Sequence, residues 1–448
     1  MKSLTEGEEG KLILYFTMPM LLGNVFQQLY SIVDSIVVGN YLGKAALAAV
    51  GASYPIIFAL ISLVVGITMG TTIVIAQFFG AKQYDKVKLA VDTMYIFLFF
   101  ASVLLTVIGL LLSKWIFRVT RLPEEVVPMA TTFMNTYLLG LVFFFGYNGT
   151  SSALRGIGDS KTPLYFLIYA TLMNLCLVFL FVAVFHWGIA GAAWATILSQ
   201  SSAFFIAIWY LNKKECLLQF SLKNMRFDRD IFLKSLRIGL PSGIQQTFVS
   251  MGMLFLYGIV NSYGTNVSAA YSVAGRIDSF ALLPAMNFSM ALSTFTGQNL
   301  GANKPERVAR GLRKTVVIAG IIAVIVTLLV IFTGHYMMGW FTKDPDVIRI
   351  GWEYLVIVSS FYLVFTLMFL YTGVMRGAGD TLIPMFISIF SLWIVRIPMA
   401  YLLSGWMGEK GIWWSIPAGW LFGTLIAFWY YKTGKWKNKV IVRYPSVR

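Results

Sequence analysis

Asp34 is unusual for where it sits. It lies near the far end of the apolar run LILYFTMPMLLGNVFQQLYSIVDSIVVG, residues 12–39, with no Lys or Arg between Lys11 and Lys44. A spanning helix needs about 20 mostly apolar residues, so the run is long enough to cross a bilayer. An ionisable group within hydrocarbon costs at least ~2.5 kcal/mol on insertion scales. That cost is tolerated where the group faces a watery cavity, and there it binds or relays ions. The other reading is a helix that ends early and leaves Asp34 as a wetted terminus. Ile36, Val37 and Val38 continue the run, which places Asp34 in the outer half of a span.

Other polar residues within apolar runs are candidates beside it. Asn174, in LMNLCLVFL, carries an amide that suits a share in cation coordination with Asp34, H+ or Na+. Its alternative use is an interhelical hydrogen bond, worth about 0.6 kcal/mol on average. Gln27, Tyr30, Thr68 and Thr71 are candidates for lining a substrate cavity, although the threonines can also bond their own backbone. Arg276 and Arg396 fall within spans and are further cavity candidates. Asp278 is two residues from Arg276 and points to another helix face, so the two are poor mutual partners. A buried ion pair is the commoner use of such charges.

Much chemistry is excluded. His186 and His335 are too few and too far apart for a metal site. Cys176 and Cys216 give neither a disulfide framework nor metal-ligand spacing. No Ser/His/Asp or Cys/His cluster supports a hydrolase, so the chain does not read as an enzyme. GIGDSKT loosely suggests a phosphate loop, but GxxxxGK[ST] is absent and no strand precedes it. No cofactor is implied. With no ATP site, energy comes from an ion gradient or from the substrate's own gradient.

The elements that position these residues are membrane spans. Of 448 residues, 58% are hydrophobic and only 12% charged, against about 25% charged in soluble domains. Apolar runs near 12–39, 46–77, 89–112, 129–150, 163–185, 189–210, 236–261, 267–297, 315–333, 350–374, 383–404 and 412–431 predict twelve helices. They are far longer than the ~10-residue alternating strands of a barrel. The polar start MKSLTEGEEGK lacks the features of a signal peptide, so the first span is expected to be retained. Of the 35 Lys and Arg, 26 flank the side that carries the termini, seven the other side, and two lie within spans. That bias places both termini in the cytoplasm. It also explains the formal charge of +16 without nucleic acid, since basic loops sit against anionic headgroups.

The chain repeats itself. LRGIGDSKTP (154–163) matches MRGAGDTLIP (375–384), and QFFGAKQYDKV (77–87) matches QNLGANKPERV (298–308), both at a shift of 221 residues. The expected fold is therefore all-α and polytopic, with twelve transmembrane helices in two pseudo-symmetric parallel six-helix lobes. The expected boundaries are 1–211 for the first lobe, 212–235 for a cytoplasmic linker with an amphipathic helix, 236–431 for the second lobe and 432–448 for a basic tail. Asp159 and Asp380, in the duplicated loops, are placed to cap the helices that follow. Substrate sites in such duplicated folds lie at the repeat interface, with rocking of the halves giving transport. Pro19, Pro55, Pro241, Pro284 and Pro398 offer bends within spans.

VDSIVVGNYLG in the first span, ALSTFTGQNLGA closing the eighth, MRGAGDT after the tenth and WIVRIPMAYLL in the eleventh resemble the multidrug and toxic compound extrusion (MATE) transporters. The resemblance covers nearly the whole chain. It implies export of organic, often cationic and amphipathic compounds across the cytoplasmic membrane, coupled to H+ or Na+. Partners are then small-molecule substrates and membrane lipids, with the chain expected to be a monomer. An Asp in the first span, matched by Asp34, resembles the DinF-like branch, where it is the coupling acid, and Asn174 matches an amide near it. That branch often has a second acid four residues after this Asn, where Val178 stands. The NorM-like branch relies on acids in spans seven and ten. Span seven has none, and Glu353 lies near the outer edge of span ten. With few fixed carboxylates and amides, a proton is easier to accommodate than sodium. The rivals are a flippase for a lipid-linked sugar, disfavoured by having only two Arg in the spans, and a passive channel, disfavoured by duplicated lobes without a filter-like stretch.

Overall fold

The computed structural model describes residues 3–120, 122–214 and 216–442. Part of the expected basic tail, beyond residue 442, lies outside them. Among the described residues the chain is helical without strands. It runs α1 (Glu9–Gly80), α2 (Tyr84–Val119), α3 (Val127–Leu139), α4 (Leu141–Gly156), α5 (Lys161–Val178), α6 (Gly188–Lys214) and α7 (Arg229–Asn261). It continues through α8 (Thr265–Gly301), α9 (Pro305–Gly339), α10 (Pro345–Ser359), α11 (Tyr362–Ala378), α12 (Leu382–Ile389), α13 (Ile397–Met407) and α14 (Glu409–Thr433).

The twelve spans arise from these helices by breaks and joins. α1 is 72 residues long and holds two spans, broken at Gly43 (φ 84°, ψ −175°). Only glycine adopts that backbone without strain. α3 and α4 form one bent span, at 52°, and α10 and α11 another, at 49°. α5 continues into a π-helical segment, Phe179–Val184, and α12 and α13 are joined by another, Phe390–Arg396. Wide turns of that kind are rare and frequently mark functional sites.

The internal repeat extends to backbone detail. Gly43 and Gly264, Lys82 and Asn303, and Gly158 and Gly379 have positive φ in both halves, each pair 221 residues apart. Asp159 N–H donates to the Leu154 carbonyl at 2.9 Å, and Asp380 N–H to Met375 at 3.0 Å, at the same shift. Thr106 Oγ1 donates to the Leu138 carbonyl at the bend of the fourth span, and Thr327 Oγ1 to Ser359 at the bend of the tenth, each at 2.7 Å. In both bends the threonine satisfies a carbonyl that the helix break has freed. The duplicated loops differ in one respect. Asp159 Oδ1 accepts from Lys161 N and Thr162 N, capping α5 as expected. Asp380 instead accepts from the Tyr430 hydroxyl.

Two compact units result, but their border departs from the sequence boundaries. One unit contains Leu22–Gly243; the other contains Ser3–Leu21 together with the chain from Ile244 onward. The residues 3–21 that were expected in the first lobe pack with the second half for electrostatic and hydrogen-bonding reasons. Leu4 N–H donates to Gln298 Oε1 at 3.0 Å, and Asn299 Nδ2 donates to the Leu4 carbonyl at 3.1 Å. Glu9 takes Arg310 at 3.0 Å, Lys314 at 3.1 Å and Arg307 at 3.4 Å. The border near residue 243 is set by close helix approach. A Cβ on Gly66 would lie 2.5 Å from Gly243 N, so the second span of α1 holds the first half of α7 within its own unit. The amphipathic stretch expected at the end of the linker is helical and runs without a break into the seventh span. Its residues form the opening turns of α7, capped by Asp228 Oδ1, which accepts from Ile231 N at 2.8 Å.

The Glu9 contacts give a first expectation. Glu9→Gln should lower the thermal midpoint of the purified protein, by the equivalent of about 1 kcal/mol, because two of its cationic partners are half-exposed and screened. The loss should shrink in high salt. A midpoint independent of both substitution and salt would show that these pairs contribute nothing.

Candidate polar site around Asp34

Asp34 and Tyr54 both belong to α1, 20 residues apart. In an unbroken helix they would be about 30 Å from each other. The reversal at Gly43 brings them together, with the Tyr54 hydroxyl close enough to act on the Asp34 carboxylate. Asp34 is 2% exposed. No Lys or Arg among the described residues reaches it within ion-pair distance, and its Oδ1 is buried without a donor. The early-ending helix considered from the sequence is therefore not what forms, since α1 continues helically well past this residue.

Tyr30 stands one turn before Asp34 on the same helix, and its hydroxyl meets Thr196 Oγ1 at 2.9 Å. Asn174 Nδ2 donates to the Tyr30 hydroxyl at 3.3 Å and to Thr196 Oγ1 at 3.5 Å. Thr196 in turn donates to the Ala192 carbonyl of its own helix, α6, at 3.2 Å. Asn174 is fully buried, and its Oδ1, like Asp34 Oδ1, has no partner. Tyr137 of α3 is close enough to act electrostatically on both Tyr30 and Tyr54. Four helices of one unit thus converge on a carboxylate, an amide and a set of hydroxyls.

Buried polar atoms are nearly always satisfied by a partner, an ordered water or an ion. Two orphan oxygens, one of them on a carboxylate, fit either a proton on Asp34 or a hard cation taking oxygen ligands. They do not fit a softer metal, since no three His, Cys, Asp or Glu converge among the described residues.

The remaining sequence candidates divide. Asn174 joins the cluster, but through Tyr30 and Thr196 rather than by a direct bond to Asp34. Tyr30 is part of it. Thr68 and Thr71 spend their hydroxyls on the Val64 and Ile67 carbonyls of their own helix, at 2.9 and 3.1 Å. Gln27 is exposed, as is Arg276, while Arg396 is buried in the other unit. Tyr54, Thr196 and Tyr137 are members that sequence reasoning missed. Each is one hydroxyl in a hydrophobic run, and only the fold at Gly43 and the packing of α3 and α6 pick them out.

Comparison with known proteins supplies an independent view. The MatE family model matches residues 19–180 and again residues 241–402, the two halves of the internal repeat. The probable multidrug resistance protein YpnP of Bacillus subtilis is 35% identical over 434 residues, covering 97% of both chains. The probable multidrug resistance protein YoeA of the same organism is 33% identical over 437 residues, covering 96% of this chain and 94% of that one. Among solved structures, an outward-facing multidrug resistance MATE transporter of the MOP superfamily superposes with a TM-score of 0.90 at 24% identity, over 97% of this chain and 98% of the other.

Proposed function

The chain belongs to the MatE family, the multidrug and toxic compound extrusion transporters, and on that premise we propose that it is a secondary antiporter for organic compounds, with Asp34 as its coupling group. The observation that carries the proposal is the carboxylate of Asp34, 2% exposed, without a cation partner and with one oxygen unclaimed. Such a group changes the local free energy strongly when its charge is neutralised, because a lone charge in a low-dielectric site is costly. Uptake of H+ or Na+ at Asp34 from outside removes that cost. Tyr54 and Tyr30 transmit the change to both sides of the Gly43 break. The cycle is then alternating access, in which the cation-loaded state releases substrate outward and the unloaded state takes it up from the cytoplasm.

Proton coupling is the form we favour. The cluster offers one carboxylate and one amide oxygen in addition to hydroxyls, whereas a hard cation seeks about six oxygen ligands. The expected substrates are organic, often cationic and amphipathic molecules. The expected location is the cytoplasmic membrane, with both termini inside, following the Lys and Arg bias.

Reconstituted liposomes loaded with a fluorescent organic cation test the proposal under imposed pH or Na+ gradients. Efflux driven by neither gradient would refute it. Thr196→Val gives a graded test. It removes the hydroxyl shared by Tyr30 and Asn174 and should lower coupled efflux about fivefold, the equivalent of about 1 kcal/mol. Membrane yield should be unchanged. An unaltered rate would show that the Tyr30–Thr196–Asn174 contacts play no part in coupling.

A further inference from the structure

One end of the second unit carries cations that the chain itself does not neutralise. α9 opens with four, of which Arg307, Arg310 and Lys314 are taken by Glu9. Arg313 is exposed and has no acidic partner among the described residues. α14 closes on Lys432, followed by Lys435, Lys437 and Lys439, all exposed and likewise unpaired among the described residues. Val308, Leu312 and Trp436 share one buried cluster, so the start of α9 and the end of α14 lie at the same end of the unit. From Gly411 onward the sequence has no Asp or Glu. The acids at this end are engaged. Glu306 faces Arg310 at 3.9 Å, and Asp380 accepts from the Tyr430 hydroxyl.

These cations stand at the mouth of an apolar recess. A Cβ on Gly320 of α9 would lie 3.4 Å from Leu363 Cδ1 of α11, and Thr424 of α14 donates to the Val364 carbonyl of α11 at 2.9 Å. α11 therefore runs between α9 and α14. Arg313 stands about two turns before Gly320, on the face of α9 that meets α11. Val317 and Ile321 of α9 and Leu421 and Leu425 of α14 are exposed on either side. At the charged end, Tyr371 of α11 meets Phe428 at 5.7 Å and Tyr431 at 5.3 Å. Lys432 lies over the Phe428 ring at 5.4 Å, and Arg313 is close enough to Tyr431 to act electrostatically on it. Trp436, 1% exposed, stacks on Tyr431 and donates its indole N–H to the Tyr431 carbonyl at 3.0 Å, which fixes the lysine-bearing turn in place. From Lys432 back to Leu421 the recess is about 16 Å long, close to the ~15 Å hydrocarbon depth of one leaflet.

The fold does not demand this charge. The residue 221 positions before Arg313 is Asp92, which is 4% exposed and ion-paired with Lys88. The first unit thus has an acid where the second has a free guanidinium. Aromatic rings at headgroup level, cations beside them and an apolar recess one leaflet deep match an amphiphile with an anionic head. We propose that Arg313 and Lys432 hold the phosphate of one anionic phospholipid, whose acyl chains lie over α11 between α9 and α14. The guanidinium fork binds two phosphate oxygens and the ammonium adds a point charge. The lysines of the following turn add to the local field. The site belongs to the second unit alone and is independent of Asp34 and of the coupling ion.

Phospholipids carrying an NBD fluorophore on one acyl chain test it, with anisotropy read on the purified full chain in a non-ionic detergent. The wild type should bind the labelled phosphatidylglycerol about tenfold more tightly than the labelled phosphatidylcholine. Arg313→Gln/Lys432→Gln should bring that ratio to about one by weakening phosphatidylglycerol alone, and Arg313→Gln by itself should lower it about threefold. Both side chains are exposed, so the variants should keep the wild-type thermal midpoint without added lipid. Lys213→Gln/Lys214→Gln removes the same charge from the end of α6 and should leave the ratio at about ten. Millimolar inorganic phosphate should not displace the lipid, because it cannot fill the recess. Equal binding of the two lipids by the wild type, or a ratio unmoved by the Arg313 and Lys432 changes, would overturn the site. So would an equal fall in the Lys213 and Lys214 variant, which would mean general attraction to a basic surface. Displacement by inorganic phosphate would also overturn it, by showing an anion site that needs no acyl chains.

Discussion

Asp34→Asn should reduce gradient-driven efflux by about 100-fold or more, a loss of roughly 2.7 kcal/mol in coupling, while leaving membrane insertion and thermal stability close to wild type. Asparagine has nearly the shape of a protonated aspartic acid and keeps an oxygen that can accept from Tyr54. It relieves the cost of a charge held at 2% exposure, so folding should not suffer. What it removes is the ability to alternate between two charge states. A carrier fixed in the neutral state has nothing to exchange for the incoming cation. Substrate binding in detergent should therefore persist while uphill movement in liposomes disappears under both pH and Na+ gradients. Asp34→Glu keeps the charge but lengthens the side chain in a site closed by Tyr54, and partial activity is expected. Efflux by the Asn variant at the wild-type rate, in well-inserted protein, would remove Asp34 from the mechanism.

The twelve spans were legible because each needs a long apolar run, and the family resemblance because its motifs recur across the whole length. The repeat was legible for a more specific reason. Turns with positive φ restrict residue choice, so Gly158 and Gly379 must look alike in sequence as well as in backbone. The border between the units was not legible. It depends on Glu9 meeting Arg310 some 300 positions later, and on two glycines of distant helices approaching closely. No local pattern encodes either contact. Asp34 announced itself as a charge in an apolar run, but its partner did not. Tyr54 lies beyond a break that hydropathy reads merely as a short gap between spans. Thr68 and Thr71 show a different limit: residue type and depth left a cavity lining and a bond to their own backbone both open, and the structure shows the backbone bonds. Asp278 and Arg396 were visible as charges within spans, yet that Tyr362 and Tyr354 would donate to the Asp278 carboxylate could not be read from spacing.

The internal repeat also offers an unusual stability comparison, because Gly156 and Gly377 occupy equivalent places in the two halves but meet different atoms. A Cβ on Gly377 would lie 2.2 Å from the Ser293 carbonyl oxygen and 2.7 Å from Thr296 Cβ. A Cβ on Gly156 would lie 2.7 Å from a methyl of Ile75 and 3.1 Å from the Thr72 carbonyl oxygen, the counterpart of the Ser293 contact. Helices in membranes associate largely through such close packing of small residues, with little hydrophobic drive between them. At Gly377 the obstacle is main chain, so α11 and α8 must part by roughly 1 Å along their seam for even a methyl group to fit. At Gly156 the first obstacle is a branch methyl of Ile75, whose Cβ lies 3.0 Å away, so the side chain has little freedom to turn but the overlap to be relieved is smaller than at Gly377. Overpacking of this kind costs about 1–3 kcal/mol. Gly377→Ala should sit at the upper end of that range and Gly156→Ala near the lower. In thermal unfolding of detergent-solubilised protein, Gly377→Ala should therefore lose several degrees more than Gly156→Ala. Leucine at position 377 should abolish the folded, monodisperse species, because a whole side chain would have to enter a seam that excludes one carbon. Equal losses at the two sites, or a larger one at Gly156, would mean that the α8–α11 seam is looser than its backbone spacing indicates.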